Sequence, residues 1–289
     1  MVRMQAIIPG TRFFLAAIRK RLLRVSGDFL LYLATLAVPM KRIYLLLFFL
    51  IGWTGLGAQT VDAAYVKALY QRYPTQRSDF CPSCKLWVNP YYRSVADTDR
   101  HMPLVTFYIY TRAHRLAQEL ARIPRTGIYA AWHPAYGQPD ETKVYREANS
   151  RSPDMIAKGH CQAWVLLAWC ADAAILSDTY TFNAGMEFQG QNIGTEIATE
   201  ELCRKLTDQT DSVRIWCGTY GSQQTYTKNG ITVTVPTHYY KIIRYNDELL
   251  CYWMPNLPAE KRALLPRRIV SHRQLVINLG FDPMAIFTE

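Results

Sequence analysis

Beyond residue 58 the sequence has no internal repeat, no low-complexity tract and no long linker. Those absences exclude a solenoid or a repeat array and make one folded domain the economical reading. A complete zinc knuckle is also missing. Cys81-Pro-Ser-Cys84 has the spacing of half a zinc site, yet no second Cys or His pair stands at similar spacing. A loop disulfide or free thiols is therefore expected there. Seven cysteines leave at least one unpaired in any case. A large charge excess is lacking too, although the formal net charge is +10. Residues 1–58 hold eight basic residues and one acid, Asp28, so the rest of the chain carries 25 basic and 22 acidic residues, a net of +3. A polyanion would have to be held by a local patch, not by the overall field.

What is present starts with a leader. From Met40 the chain reads MKRIYLLLFFLIGWTGLGAQT: Lys41 and Arg42, an uncharged run, then small residues ending at Ala58. This is the layout of a secretory signal peptide cleaved after Ala58, with translation starting at Met40. Residues 1–39 are then an upstream extension, residues 40–58 the signal, and residues 59–289 a single domain. No Cys follows the small residues, which argues against a lipid-modified terminus. The product would be secreted or periplasmic, without stable membrane association, and able to oxidise its cysteines. An uncleaved anchor is the competing reading.

The hydrophobic patterning predicts an α+β fold. A short helix is expected over 61–70, followed by a Pro- and Cys-punctuated loop, then a strand at VTFYIY (105–110) and a helix over 116–122. Residues 124–152, with Pro, Gly, Asn and Asp, read as a long surface excursion. Ala163 to Ile175 is Ala-rich and nearly uncharged, which predicts one long buried helix. A second, amphipathic helix is expected over 196–206. Strands come next at 213–217, 239–245 and 249–254, with a hairpin over 226–235 turning at Asn229-Gly230. Strands mixed with unequal helices, without a regular βαβ rhythm, point to α+β.

Two stretches carry candidate chemistry. Lys158-Gly159-His160 places a potential general base before an apolar run. Asn192, Glu196 and Glu200 fall at i, i+4 and i+8, so a helix starting near Asn192 would put all three on one side. Ala198, Leu202 and Leu206 would face the core. An amide oxygen and carboxylates suit a hydrated Mg²⁺, which needs few protein ligands. A solvated helix face with an Asn cap is the plainer alternative.

These segments resemble the DNA/RNA non-specific endonucleases, the ββα-metal or His-Me finger nucleases. That family's signature is Asp-Arg-Gly-His, an Asn about twenty residues on, then Asn-x-Gly-x(5)-Glu. Here stand Gly159-His160, Asn183 within TFNAG, Asn192-Ile-Gly194 and Glu200. The similarity continues through IWCGTY, VPTHYYK, CYWMPN and VSHRQLVINLGFDP, and so runs in order from about Leu104 to Asp282. The resemblance implies a central, mostly antiparallel sheet flanked by helices. It further implies that His160 is the general base and that Asn192 ligates one hydrated Mg²⁺, with Mn²⁺ as a substitute. Glu200 would hold a metal-bound water, Asn183 would help position the His loop, and Lys158 would take the place of the family's phosphate-binding Arg. Substrates would be DNA and RNA held by backbone phosphate, with little sequence preference.

The departures are specific. Asp-Arg is replaced by Ala157-Lys158, which keeps the charge, loses the bidentate fork and leaves no visible substitute for the Asp. The family's second Arg could be Arg125 or Arg146. These changes motivate an alternative reading, a catalytically weak or dead secreted nucleic-acid- or partner-binding protein on the same scaffold. A zinc hydrolase built on Cys81, Cys84 and a distant His is a third. His238 reads as a structural residue, as do His101, His114, His133 and His272. Trp164 and Trp169 read as core. Lys241, Arg244, Arg262, Arg267 and Arg268 are candidates for a local phosphate-binding patch.

Overall fold

The computed structural model describes residues 61–288, so the extension and the signal lie outside the described residues. A large antiparallel sheet dominates. Its early strands are β1 (Gln76–Arg77), β2 (Cys84–Val88), β3 (Arg93–Asp97) and β4 (Met102–Thr111). The later ones are β9 (Ser212–Tyr220), β12 (His238–Tyr245), β13 (Glu248–Pro255) and β14 (Ile269–Val270). These eight strands lie in the order β1-β2-β3-β4-β9-β12-β13-β14, every pairing antiparallel. Both faces of this sheet are covered, which explains why its central strands are apolar almost without interruption. Along β4, Val105 and Phe107 enter one core cluster, whereas Tyr108 and Tyr110 enter the other. On β9, Trp216 faces the first side, and Ile215 and Cys217 face the second.

The first side is closed by α7 (His272–Leu279) and by Phe287, which accepts a hydrogen bond on its carbonyl from Trp216 Nε1 at 3.1 Å. The second side is closed by α1 (Ala63–Gln71), α4 (Trp164–Leu167), α5 (Ala171–Ser177) and α6 (Ile197–Gln209). Asp62 caps α1 by accepting from Tyr65 N, and α2 (Arg112–Ala121) opens with a capping box built on Thr111 and His114. Each fully buried Leu or Ile in these clusters contributes about 1.5–3 kcal/mol.

A smaller sheet is made of β5 (His133–Pro134), β6 (Ile156–His160), β7 (Thr179–Tyr180) and β8 (Ala184–Phe188), in the order β5-β7-β8-β6. It carries the candidate site. Asn256 ties it to the large sheet's loops: its amide donates to Met186 O and Pro236 O, and its oxygen accepts from Phe188 N. The hairpin β10 (Gln224–Lys228) and β11 (Ile231–Val235) turns at Asn229-Gly230, both at positive φ, as the alternation requires.

Three expectations fail. The Pro- and Cys-punctuated loop expected after the 61–70 helix contains β1 and β2 of the large sheet. The section 124–152 is no surface excursion, because it contains β5 and α3 (Thr142–Arg151), whose Val144, Tyr145 and Ala148 are buried against the hairpin and β8. The long helix over 163–175 is broken at Ala168 to Cys170 into α4 and α5. Uniform apolarity conceals the break, since both pieces face the same core. Among the described residues no helix is long and apolar enough to cross a membrane.

Candidate active site

His160 ends β6 and is nearly buried. Its ring Nε2 lies 2.7 Å from Oδ1 of Asp178, a fully buried residue. A carboxylate only accepts hydrogen bonds, so Nε2 carries the proton and Nδ1 keeps its lone pair. Burial pushes the imidazole below its ordinary value, opposed by the hydrogen bond and charge of Asp178. Asp178 is fixed by its own backbone: it caps α5 and its carbonyl accepts from His133 N at 3.0 Å. Arg125 reaches the same Oδ1 at 3.3 Å while its guanidinium lies 4.9 Å from the centre of the Trp164 ring. Asp178 Oδ2 has no partner among the described residues.

The turn between β7 and β8 sets the loop after His160. Thr181 adopts φ +64, unusual for a β-branched residue and worth roughly 1–3 kcal/mol of strain. Its hydroxyl is held by buried Glu141 and lies 3.2 Å from His101 Nδ1. The next residues bring Asn183 beneath the His160 loop, where it is completely buried. Its Nδ2 donates to Gln162 O at 2.8 Å and Ser177 O at 2.7 Å, and its Oδ1 accepts from Gln162 N at 2.8 Å. Asn183 therefore clamps the loop; all of these side-chain partners are backbone atoms.

Lys158 shares a face of β6 with His160. Its ammonium lies 5.3 Å from the ring centre of Trp132, 5.4 Å from Tyr180 and 5.8 Å from Tyr145. Burial lowers its pKa, partly offset by the charge of Asp178, while the ring faces favour the charged form. On the opposite face, the register partner of Ala157 is Glu187. Glu187 is fully buried, and neither of its oxygens has a partner among the described residues. Burial together with the nearby Glu196 lifts its pKa far above the carboxylate range. The carboxyl missing from position 157 thus has a counterpart on the paired strand. It also explains Gly159, since a Cβ there would sit 2.1 Å from Glu187 Oε2.

The helical stripe expected from Asn192 is not formed. Residues Asn192–Glu196 join two helical segments across a kink at Gly194, whose backbone is non-helical and passes so close to Glu260 that a Cβ would meet its carbonyl at 2.9 Å. The kink breaks the helical register between Asn192 and the residues after Gly194. Glu196 faces the interior and pairs with Lys241, both about 1% exposed, and Lys241 also donates to Thr199 Oγ1 at 2.9 Å. Thr199, Cys203, Leu206 and Thr207 are the buried face of α6, so Ala198 and Leu202 are only partly buried. Lys241 is accordingly no part of a surface phosphate patch.

Asn192 and Glu200 remain half-buried, and among the described residues neither makes a side-chain hydrogen bond. Burial lifts Glu200 to about 7, with Lys241 and Arg125 pulling it back. Arg125 and Lys241 also act on His160, so His160 and Glu200 share one electrostatic neighbourhood. Arg146, the other Arg weighed, is exposed on α3 and is felt by Lys158. Cys81 and Cys84 form a disulfide, which removes the zinc-hydrolase reading, and the other five cysteines are free thiols. His238 stacks on Trp253 at 4.4 Å, as befits a structural residue.

Asp178 is the partner of His160 that the sequence did not single out; an acid eighteen residues from a His has no periodic signature. Known proteins share this architecture. In structure the chain resembles EndoG in the EndoG/EndoGI complex, a complex described as the mechanism of EndoG inhibition. The TM-score is 0.50 at 18% identity, over 68% of this chain and 83% of that one. The shared architecture is the ββα-metal nuclease fold. No curated protein sequence matches the chain significantly. The sequence profile of the DNA/RNA non-specific endonucleases matches residues 79–274, the span that carries His160, Asn183, Asn192 and Glu200, and on this ground the chain belongs to the DNA/RNA non-specific endonuclease family.

Proposed function

We propose that this chain is an exported, Mg²⁺-dependent endonuclease that hydrolyses DNA and RNA phosphodiester bonds with little sequence preference. The observation that carries the reading is the buried His160–Asp178 pair at the end of β6, with the His loop clamped by Asn183. His160 Nδ1 takes a proton from the attacking water while Asp178 holds the ring by Nε2–H and stabilises the imidazolium that forms. Lys158 and Arg125 supply positive charge to the scissile phosphate. Asn192 and Glu200 fit a hard cation, being oxygen donors without other side-chain partners among the described residues, in half-buried positions. Asn192 would ligate it directly and Glu200 through water. The bound ion supplies Lewis acidity at the phosphate and charge for the leaving 3′ oxygen. Recognition through phosphate and sugar gives weak base selectivity.

The leader over 40–58 supports export, and the Cys81–Cys84 disulfide suits an oxidising compartment. The test uses purified residues 59–289 with plasmid DNA and RNA in Mg²⁺. EDTA-sensitive nicking that disappears in His160→Ala is expected. Salt-dependent binding without turnover would favour the binding-protein reading, motivated by Ala157-Lys158.

A further inference from the structure

Lys158 stands where the family has an Arg, and a lysine is a poorer tool for holding phosphate. Its ammonium is a point charge on a four-carbon stem with many rotamers, whereas a guanidinium is a rigid, planar fork. The structure contains a device that offsets this. Trp132, Tyr145 and Tyr180 surround the ammonium, all with ring centres between 5.3 and 5.8 Å away. The rings are braced against one another, Trp132 with Tyr180 at 5.5 Å and Tyr145 with Tyr180 at 5.6 Å. Tyr180 OH is anchored to Thr142 Oγ1 at 3.0 Å. Trp132 has a second contact: its ring lies 4.7 Å from the imidazole of His160. Lys158 and His160 are two residues apart on one strand face, about 6.8 Å along the chain, and the Trp132 ring contacts both. Lys158 and Trp132 are both only partly buried, which leaves the ammonium reachable.

We propose that Trp132 is a positioning residue serving both groups: it seats the Lys158 ammonium within an aromatic cage and adds a second constraint on the His160 imidazole, beside that of Asp178. The cage restores to a lysine part of the order that a guanidinium has by itself. The site is then tuned to lysine, with a single-point grip on phosphate. This inference rests on the nuclease reading for its purpose, though its geometry can be tested without cleavage.

The experiment compares wild type, Trp132→Leu and Trp132→Phe of residues 59–289, checked by circular dichroism. The His160 titration midpoint is read by NMR of labelled histidine, and the acetylation rate of Lys158 by mass spectrometry. The charged groups facing His160 are Asp178, Arg125 and Lys241, and all remain in these variants. In Trp132→Leu, water reaches the imidazole and the midpoint rises by about half a pH unit or more toward 6.5. The acetylation rate of Lys158 changes by about two- to fivefold, the factor one lost cation–π contact is worth. Trp132→Phe keeps a smaller ring and moves both readouts in the same direction by less, which retains the test if the Leu variant does not fold. If either readout stays at its wild-type value, the shared role is wrong. In cleavage, the Trp132→Leu loss in kcat should shrink in a Lys158→Ala background, and full additivity also overturns the proposal. Absence of cleavage by wild type would sink the nuclease reading alone, because midpoint and reactivity still decide the cage.

Discussion

Asp178→Asn is the most searching substitution of the site, because it exchanges an oxygen for an amide nitrogen and leaves the volume almost unchanged. In the wild type, Asp178 Oδ1 accepts from His160 Nε2–H at 2.7 Å, so Nδ1 is the free base. An Asn can turn its NH₂ toward Nε2 and donate, which favours the tautomer protonated on Nδ1. The nitrogen that should accept the water's proton then already holds one. General-base catalysis contributes about 10²–10⁴-fold, or roughly 2.7–5.4 kcal/mol of barrier at 1.36 kcal/mol per decade. A kcat loss in that range is therefore expected, with KM little altered because Asp178 is fully buried and cannot touch substrate. The pH dependence adds a second reading. Asp178 raises the His160 pKa against the lowering by burial, so its removal lets the imidazole titrate lower still. The acidic limb of the residual kcat/KM profile should move to lower pH. Steady-state nicking of supercoiled plasmid between about pH 5 and 9, the range in which His titrates, measures both quantities. Activity within about threefold of wild type, well short of the general-base factor, with an unmoved acidic limb, would refute the tautomer argument.

Other outcomes concern the buried groups. Lys241→Ala leaves Glu196 without its cation in the interior and should cost about 3–5 kcal/mol in urea unfolding, whereas Lys241→Met with Glu196→Gln should recover most of it. Asn183→Ala leaves Gln162 N, Gln162 O and Ser177 O unpaired, for about 3 kcal/mol at roughly 1 kcal/mol each, and should lower kcat because the His loop is released. Glu200, lifted to about 7, keeps a proton in the folded state that the unfolded chain has lost. That contribution is complete below the unfolded pKa of about 4.3 and is lost as pH rises through about 7. In EDTA, the wild-type Tm should therefore fall more steeply from about pH 5 to 7.5 than that of Glu200→Gln; equal slopes would contradict the burial of this carboxyl.

The strands at 105–110, 213–217, 239–245 and 249–254 were legible because β-branched and aromatic enrichment and turn chemistry are local, whereas β1 to β3 and the small sheet carry no such signal. VTFYIY and the Asn229-Gly230 hairpin needed no knowledge of what packs on them, and α6 announced itself by length and amphipathicity. The break between α4 and α5 was not legible, since Ala163 to Ile175 is apolar on nearly every side and its one acid, Asp172, sits as readily inside a helix as at the start of one. The section 124–152 failed for the opposite reason. Its Pro, Gly and Asn residues suggested exposure, yet tertiary packing against the hairpin buries Val144 and Tyr145. The stripe Asn192, Glu196, Glu200 assumed a regular helix. A non-helical kink at Gly194 breaks that helix, Glu196 pairs with Lys241 in the core, and the other two are half-buried.

The departures at positions 157 and 158 illustrate what one-dimensional motifs omit. On the sequence alone, Ala157 looked like a lost carboxyl and Lys158 like a weakened cation. In the sheet, Ala157 pairs with Glu187, and Gly159 is the residue that lets the Glu187 side chain cross the strand. Lys158 stands among rings contributed from positions 132, 145 and 180, none within about ten residues of it. Asp178 reaches His160 through the same small sheet, because β7 starts directly after it and runs parallel to both β5 and β8. A strand-based site gathers its charges by register, so a substitution in one strand can be offset from its neighbour. The residue that bears on this offset is Glu187, whose carboxyl is buried without a hydrogen-bond partner among the described residues and is pushed well above the usual carboxylate range by that burial. Its side chain fills the space beside Gly159 and makes no hydrogen bond to His160 or its loop among the described residues. The orientation of His160 therefore falls to Asp178 and Asn183, which is why those two substitutions discriminate best between an active nuclease and an inert scaffold.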